Sequence, residues 1–114
     1  GQWWAQRAAE ARAAADTVDD LDRVVDSPMG PRTVREGLSF PAVDLFIHGW
    51  DLAAAIGNSV EIPPAAITFI EAMFGHIPDE ASRQPGVFGP KRDAARDATP
   101  TAALIAFTGR DPGF

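Results

Sequence analysis

Ten prolines and ten glycines punctuate this chain of 114 residues, and their positions limit where helices can run. Proline lacks an amide hydrogen and glycine tolerates left-handed backbone, so clusters of the two end regular structure. Four segments between the clusters are rich in helix formers or carry helix caps. The predicted helices run from Gln2 to about Val18, from Ser39 to about Ile56, from Ile62-Pro63-Pro64 to near Gly75 and from Pro100 to Phe107.

Local signals mark the ends of two of these helices. Ser39 and Thr99 are predicted N-caps, because a side-chain hydroxyl there can accept a hydrogen bond from a free amide of the first turn. Pro41 falls in the first turn after Ser39, where proline is tolerated. Gly57 and Gly109 are predicted stops, because glycine adopts the left-handed conformation that ends many helices.

The remaining segments predict irregular structure. Val24–Val25 and Thr33–Val34 flank a turn at residues 27–30 and predict a short hairpin. Residues 76–98 mix proline, glycine and charge, and predict an ordered but irregular segment anchored by Val87 and Phe88. Hydrophobic residues make up 46% of the chain, and its length suits one core. We therefore predict a single all-α domain over residues 1–114, with irregular connections and one short hairpin.

Charge and composition exclude several classes of function. Sixteen acidic against ten basic residues give a formal net charge of -6, the wrong sign for a nucleic-acid partner. Cysteine is absent, which excludes disulfides, thiolate metal ligands and a cysteine nucleophile in this chain. The sequence has neither an apolar run of the roughly 20 residues that span a membrane nor a signal-peptide pattern, and predicts a soluble, cytoplasmic protein. Because it begins inside a helical pattern and without methionine, we expect a fragment or a processed product.

The stretch DLFIHGWDLA, residues 44–53, places three polar groups in an otherwise apolar helix. Asp44 and His48 are four residues apart, so their side chains share one helix face and suit two ligands of a divalent metal. Asp51, one turn further on, is positioned to accept a hydrogen bond from the other ring nitrogen of His48 and so to hold the imidazole in place without binding the metal itself. A helix that is apolar all round is predicted to be buried, and buried charges persist only when paired or coordinated.

Two ligands leave a metal site incomplete, and the sequence does not single out a third. His76, Glu71 and Glu36 are candidates by chemistry, although His76 follows the next helix and favours a helix-end or loop role. A metal-free alternative also stays open. In it, His48 and the aspartates form a buried hydrogen-bond network inside a helical structural or interaction module, which dimerises through apolar surface.

The stretch DLFIHGWDLAAAIG, followed by GVFGP and then by LIAFTGRDP, resembles the DinB-like metal-binding proteins related to mycothiol-dependent maleylpyruvate isomerase. The opening helix and the segment LDRVV are also similar to that family. The resemblance covers essentially the whole chain and corresponds to the C-terminal part of the family's four-helix bundle. It implies three metal ligands, of which an aspartate and a histidine match Asp44 and His48. The third, a histidine on an early helix, has no counterpart in this sequence.

The same resemblance implies a chemistry. A divalent metal, zinc first and nickel, manganese or iron as alternatives, lowers the pKa of a small thiol such as mycothiol. The thiolate then adds to an electrophilic substrate, as in a thiol-dependent isomerase or S-transferase. The absence of cysteine from this chain is compatible with a thiol supplied from outside.

Overall fold

The structure is a computed structural model that describes residues 1–28 and 30–114. Within those residues the chain is mostly helical, as predicted, with one two-stranded sheet. The elements are α1 (Gln2–Asp16), β1 (Val24–Val25), β2 (Arg32–Thr33), α2 (Val34–Ala55), α3 (Pro64–Gly75), α4 (Asp79–Ser82) and α5 (Pro100–Phe107). They belong to two compact units, Gly1–Pro41 and Ala42–Phe114, with α2 contributing to both. No helix in the described ranges is long and apolar enough to cross a membrane.

The first unit contains α1, which has no buried residue, and the hairpin. The two strands are antiparallel, with Val24 opposite Thr33 and Val25 opposite Arg32. The predicted hairpin is therefore confirmed, but its second strand lies one residue earlier than expected because Val34 already begins α2.

The start of α2 differs from the prediction. The Thr33 amide donates to Glu36 Oε2 at 2.8 Å, and the Glu36 amide donates back to Thr33 Oγ1 at 3.1 Å. This reciprocal pair is a capping box, a motif that satisfies two free amides at a helix start. Ser39 as N-cap is therefore wrong: its hydroxyl lies inside the helix and donates to the Arg35 carbonyl at 2.7 Å. Pro41 lies inside the helix as well.

The second unit has its own apolar core, to which α2, α3, α5 and Ile62, just before α3, contribute side chains. Thr101, buried on α5, accepts a hydrogen bond of 2.9 Å from the Ile62 amide and so ties the start of α3 to α5. Thr99 caps α5 by accepting from the Ala102 amide, which confirms that predicted start. The core consists of Val43, Ile47, Ile62, Ile67, Ile70, Leu104 and Ile105.

The segment between α3 and α5 is irregular, as predicted, apart from the single turn of α4. Phe88 anchors it, because its ring meets Phe74 edge-on with centroids 4.9 Å apart. Val87 does not, since it is 56% exposed. Arg83 fixes the segment to the end of α5 by donating to the Phe107 carbonyl at 2.9 Å.

Gly57 and Gly109 end α2 and α5 in the same way, as predicted, with φ of 73° and 86°. After Gly109, the Arg110 amide returns to the Ile105 carbonyl at 3.2 Å, which is the closing bond of a Schellman turn. The two glycines differ in their surroundings. A Cβ at Gly109 would lie 2.7 Å from the backbone of Gly89, whereas nothing lies within 4 Å of one at Gly57.

Candidate functional site

Asp44, His48 and Asp51 follow one line along α2, and we call these three residues the polar strip. At 3.6 residues per turn, the strip borders the buried side of the helix, which carries Val43 and Ile47. The expectation that α2 is buried all round is wrong for this chain. Asp44 is exposed and the His48 side chain is 66% exposed, so neither needs a partner in order to avoid the cost of burial.

His48 and Asp51 are in contact within the strip. His48 Nδ1 lies 3.0 Å from Asp51 Oδ2, the hydrogen bond that the three-residue spacing predicts. A carboxylate at this distance favours the tautomer with hydrogen on Nδ1, which leaves Nε2 as the nitrogen free to accept. Asp51 therefore orients the imidazole.

Arg110 holds Asp51 from the opposite direction. Its Nε donates to Asp51 Oδ1 at 2.6 Å and its Nη2 donates to Asp51 Oδ2 at 2.9 Å. Paired contacts of this kind fix the orientation of the carboxylate plane and also stabilise its negative charge. The sequence reasoning missed Arg110, although the residue follows the predicted stop at Gly109. The Schellman turn at Gly109 sets the direction in which the chain leaves α5 and so helps to place Arg110.

The Arg110 guanidinium holds the pKa of the Asp51 carboxyl below its ordinary value, burial opposes it, and the hydrogen bond from His48 adds to the lowering. A carboxyl whose pKa is lower in the folded chain than in the unfolded chain stabilises the fold. The stabilisation is fully present at pH values above the pKa that the carboxyl has in the unfolded chain. That stabilisation is lost as the pH falls through the folded value.

We expect Arg110→Gln to lower the free energy of unfolding by about 1 kcal/mol near neutral pH, because the pair is partly exposed. The difference from the natural chain should begin to shrink as the pH falls into the ordinary range of an aspartate and should vanish below the lowered pKa of Asp51 in the folded chain. Urea denaturation over a series of pH values measures both effects. Arg96→Gln, at an exposed arginine, is the control, and a difference that persists at the lowest pH would contradict the prediction.

The other candidate ligands lie away from the strip. Glu36 is held by Thr33 at the start of α2, and those hydrogen bonds lower its pKa. Glu71 lies on α3 at the edge of a cleft, and His76 caps the C-terminus of α3. Across residues 1–28 and 30–114, no three histidine, aspartate or glutamate side chains are grouped closely enough to hold a metal ion.

A second exposed feature of α2 lies on the other side of the polar strip. Leu45, Gly49, Leu52 and Ile56 recur at spacings of four, three and four residues, and we call them the apolar stripe. Each of the three larger side chains is 66% exposed. The sequence pattern marked these residues as apolar but carried no information on what covers them.

The described structure is thus that of a mostly helical protein in which His48 and Asp51 of α2 meet Arg110, which follows α5. Comparison of the chain with models of known protein families, with curated proteins and with solved structures finds no match.

Proposed function

We propose that the protein binds a divalent metal ion at the polar strip, with Asp44 and His48 as ligands. The observation that carries the proposal is the contact between Asp51 and His48 Nδ1 at 3.0 Å. Histidines that bind metals are commonly held by a carboxylate on the nitrogen that faces away from the metal. Asp51 occupies that position, and Arg110 holds Asp51 in turn.

The donor set fits a divalent metal in part. Asp44 lies one helical turn before His48. Its carboxylate forms no side-chain hydrogen bond or ion pair with any of the described residues. Asp51 serves to orient His48 rather than to bind the metal, because Arg110 donates to both of its oxygens. Carboxylate and imidazole suit zinc first, and nickel, manganese or iron as alternatives. Water or substrate would supply the remaining ligands.

We also propose that the chain is related to the DinB-like four-helix bundles of the group that includes mycothiol-dependent maleylpyruvate isomerase. The sequence resemblance described above supports this relationship. A bound metal would lower the pKa of an external thiol such as mycothiol. An isomerase or S-transferase acting on an electrophilic substrate is the activity that this chemistry supports. His48 and Asp44 would hold the metal, and Asp51 and Arg110 would keep the imidazole in place.

Metal content and metal titration test the proposal. We expect the untagged protein to retain or take up zinc, nickel, manganese or iron, measured by elemental analysis and calorimetric titration. His48→Ala should remove one of two ligands and abolish uptake at the strip. Asp51→Ala should weaken binding by about tenfold, because the imidazole loses its orienting partner.

His76→Ala is the matched control, since it removes the other histidine of the chain and leaves the strip intact. Equal metal binding by His48→Ala and the natural chain would refute the assignment of the ligands. Loss of binding in His76→Ala but not in His48→Ala would move the site to the end of α3.

A metal-free interaction module is the second candidate function, and the exposed apolar stripe favours it. Its three large side chains present an apolar patch of roughly 300–400 Å². A stable interface buries about 800 Å² from each partner, so two copies meeting through the stripe would form a weak dimer. Gly49 lies among the large side chains, where it lets a second helix approach closely.

We expect this dimer to be concentration-dependent and to strengthen with salt, because the net charge of -6 opposes self-association. Sedimentation equilibrium measures it, and Leu52→Glu should abolish it. Glu61→Gln, an exposed change away from the stripe, is the control. A monomer at every concentration and salt level would remove this candidate and leave the metal proposal untouched.

A further inference from the structure

A cleft of about 680 Å³ opens in the second unit, beside the C-terminal half of α3, α5 and the loop at residues 91–94. Its volume lies in the range of small-molecule sites. None of the polar-strip residues lines it. The lining residues that matter here are Glu71, Phe74, Lys91, Asp93, Leu104 and Phe107.

The apolar part of the lining is packed. The Phe74 ring is near two other aromatic rings, with centroid distances of 4.9 Å to Phe88 and 6.0 Å to Phe107. Leu104 beside them is buried in the core. These side chains are fixed by their neighbours, so the cleft offers a preformed apolar surface to a ligand.

The basic side chains of the cleft already have partners within the protein. The Lys91 ammonium lies 5.7 Å from the centroid of the Phe107 ring, within the range of a cation–π contact. Arg92 donates to the Gly109 carbonyl and to Asp111, each at 3.2 Å. A ligand anion would have to compete with these contacts.

The acidic side chains differ. Asp79 lies 3.6 Å from Arg83, but Glu71 and Asp93 form no side-chain hydrogen bond or ion pair with any residue in the described ranges. Both are exposed at the cleft. Lys91 also has no carboxylate partner in the described ranges, so its positive charge offsets one of these two negative charges. The balance of unpaired charge beside the apolar surface is negative, as it is for the whole chain.

We propose that this cleft binds a small organic cation, namely a protonated amine carried on a single aromatic or alkyl body. The apolar body contacts Phe74, Leu104 and Phe107, and the ammonium group pairs with Glu71 or Asp93. Charge-assisted contacts of this kind are stronger than neutral ones, and the neighbouring apolar surface excludes part of the competing water. The site is independent of the polar strip and of metal binding.

Three probes with the same phenethyl body separate charge from shape: phenethylamine, phenethyl alcohol and hydrocinnamate, which are cationic, neutral and anionic near neutral pH. Titration of the whole chain, followed by backbone amide NMR shifts, measures affinity and location together. We expect phenethylamine to bind about tenfold more tightly than the alcohol, and hydrocinnamate to bind most weakly. The shifts should concentrate on residues 71–79, 91–94 and 103–107, and the preference for the amine should fall with added salt.

The double variant Glu71→Gln and Asp93→Asn should lower the ratio of the affinity for phenethylamine to that for phenethyl alcohol to about one. The affinity for the alcohol itself should not change. Both positions are exposed, so the fold is retained, and the alcohol titration checks this. Asp97→Asn, an exposed carboxylate that does not line the cleft, should leave the ratio unchanged. Equal binding of amine and alcohol by the natural chain, a ratio that survives in the double variant, or shifts confined to another surface would overturn the proposal.

Discussion

Replacing Gly109 with alanine is expected to lower the free energy of unfolding of residues 42–114 by about 4 kcal/mol. Two causes add. The φ of 86° is a left-handed conformation that costs an L-residue about 1 kcal/mol, and the new Cβ would lie 2.7 Å from the Gly89 backbone. Backbone cannot rotate away as a flexible side chain can, so the loop at Gly89 or the turn at Gly109 must move. Urea denaturation measures the loss.

Gly57→Ala is the matched control, because Gly57 ends α2 in the same type of turn with φ of 73° and open space at its Cβ. We expect it to cost only about 1 kcal/mol, the conformational part alone. The difference between the two variants isolates the contact with Gly89. Equal losses would show that Gly89 does not lie against Gly109 in solution.

Ile70→Ala is expected to cost about 3 kcal/mol. Ile70 is completely buried in the core of the second unit, and truncation removes three methyl or methylene groups and leaves a cavity. Chemical denaturation at low protein concentration measures this loss without a contribution from self-association.

Ile56→Ala makes the same chemical change at a side chain that is 66% exposed. We expect a change within about 0.5 kcal/mol, as for most surface positions. A loss at Ile56 as large as that at Ile70 would mean that the apolar stripe is covered in solution. Dependence of that loss on protein concentration would identify the cover as a second copy of the chain.

Much of the fold was predictable because its signals are local. Thr99 and Pro100 start α5, and Gly109 stops it, through short-range chemistry that the sequence displays directly. The start of α2 was missed for a local reason as well. Thr33 and Glu36 form a capping box whose spacing is visible in the sequence, but the nearby Pro41 drew the prediction towards Ser39.

The candidate site was predictable only along its own helix. The contact between His48 and Asp51 follows from a three-residue spacing, whereas Arg110 reaches Asp51 from 59 positions away. Nothing in the periodicity of α2 reveals that partner, and nothing in it reveals that the apolar stripe is exposed. Both depend on how separate helices pack, which is a property of the whole second unit.

The pairing of Asp51 with Arg110 also bears on the order in which the protein folds. It closes a loop that encloses α3, α4 and α5. Closing a long loop is slow, because the chain loses conformational entropy before the contact that compensates for it is formed. The orientation of the His48 imidazole therefore depends on a contact between distant parts of the chain and not on α2 alone. A chain in which α2 has formed but Arg110 has not reached Asp51 would carry the same side chains and lack their arrangement.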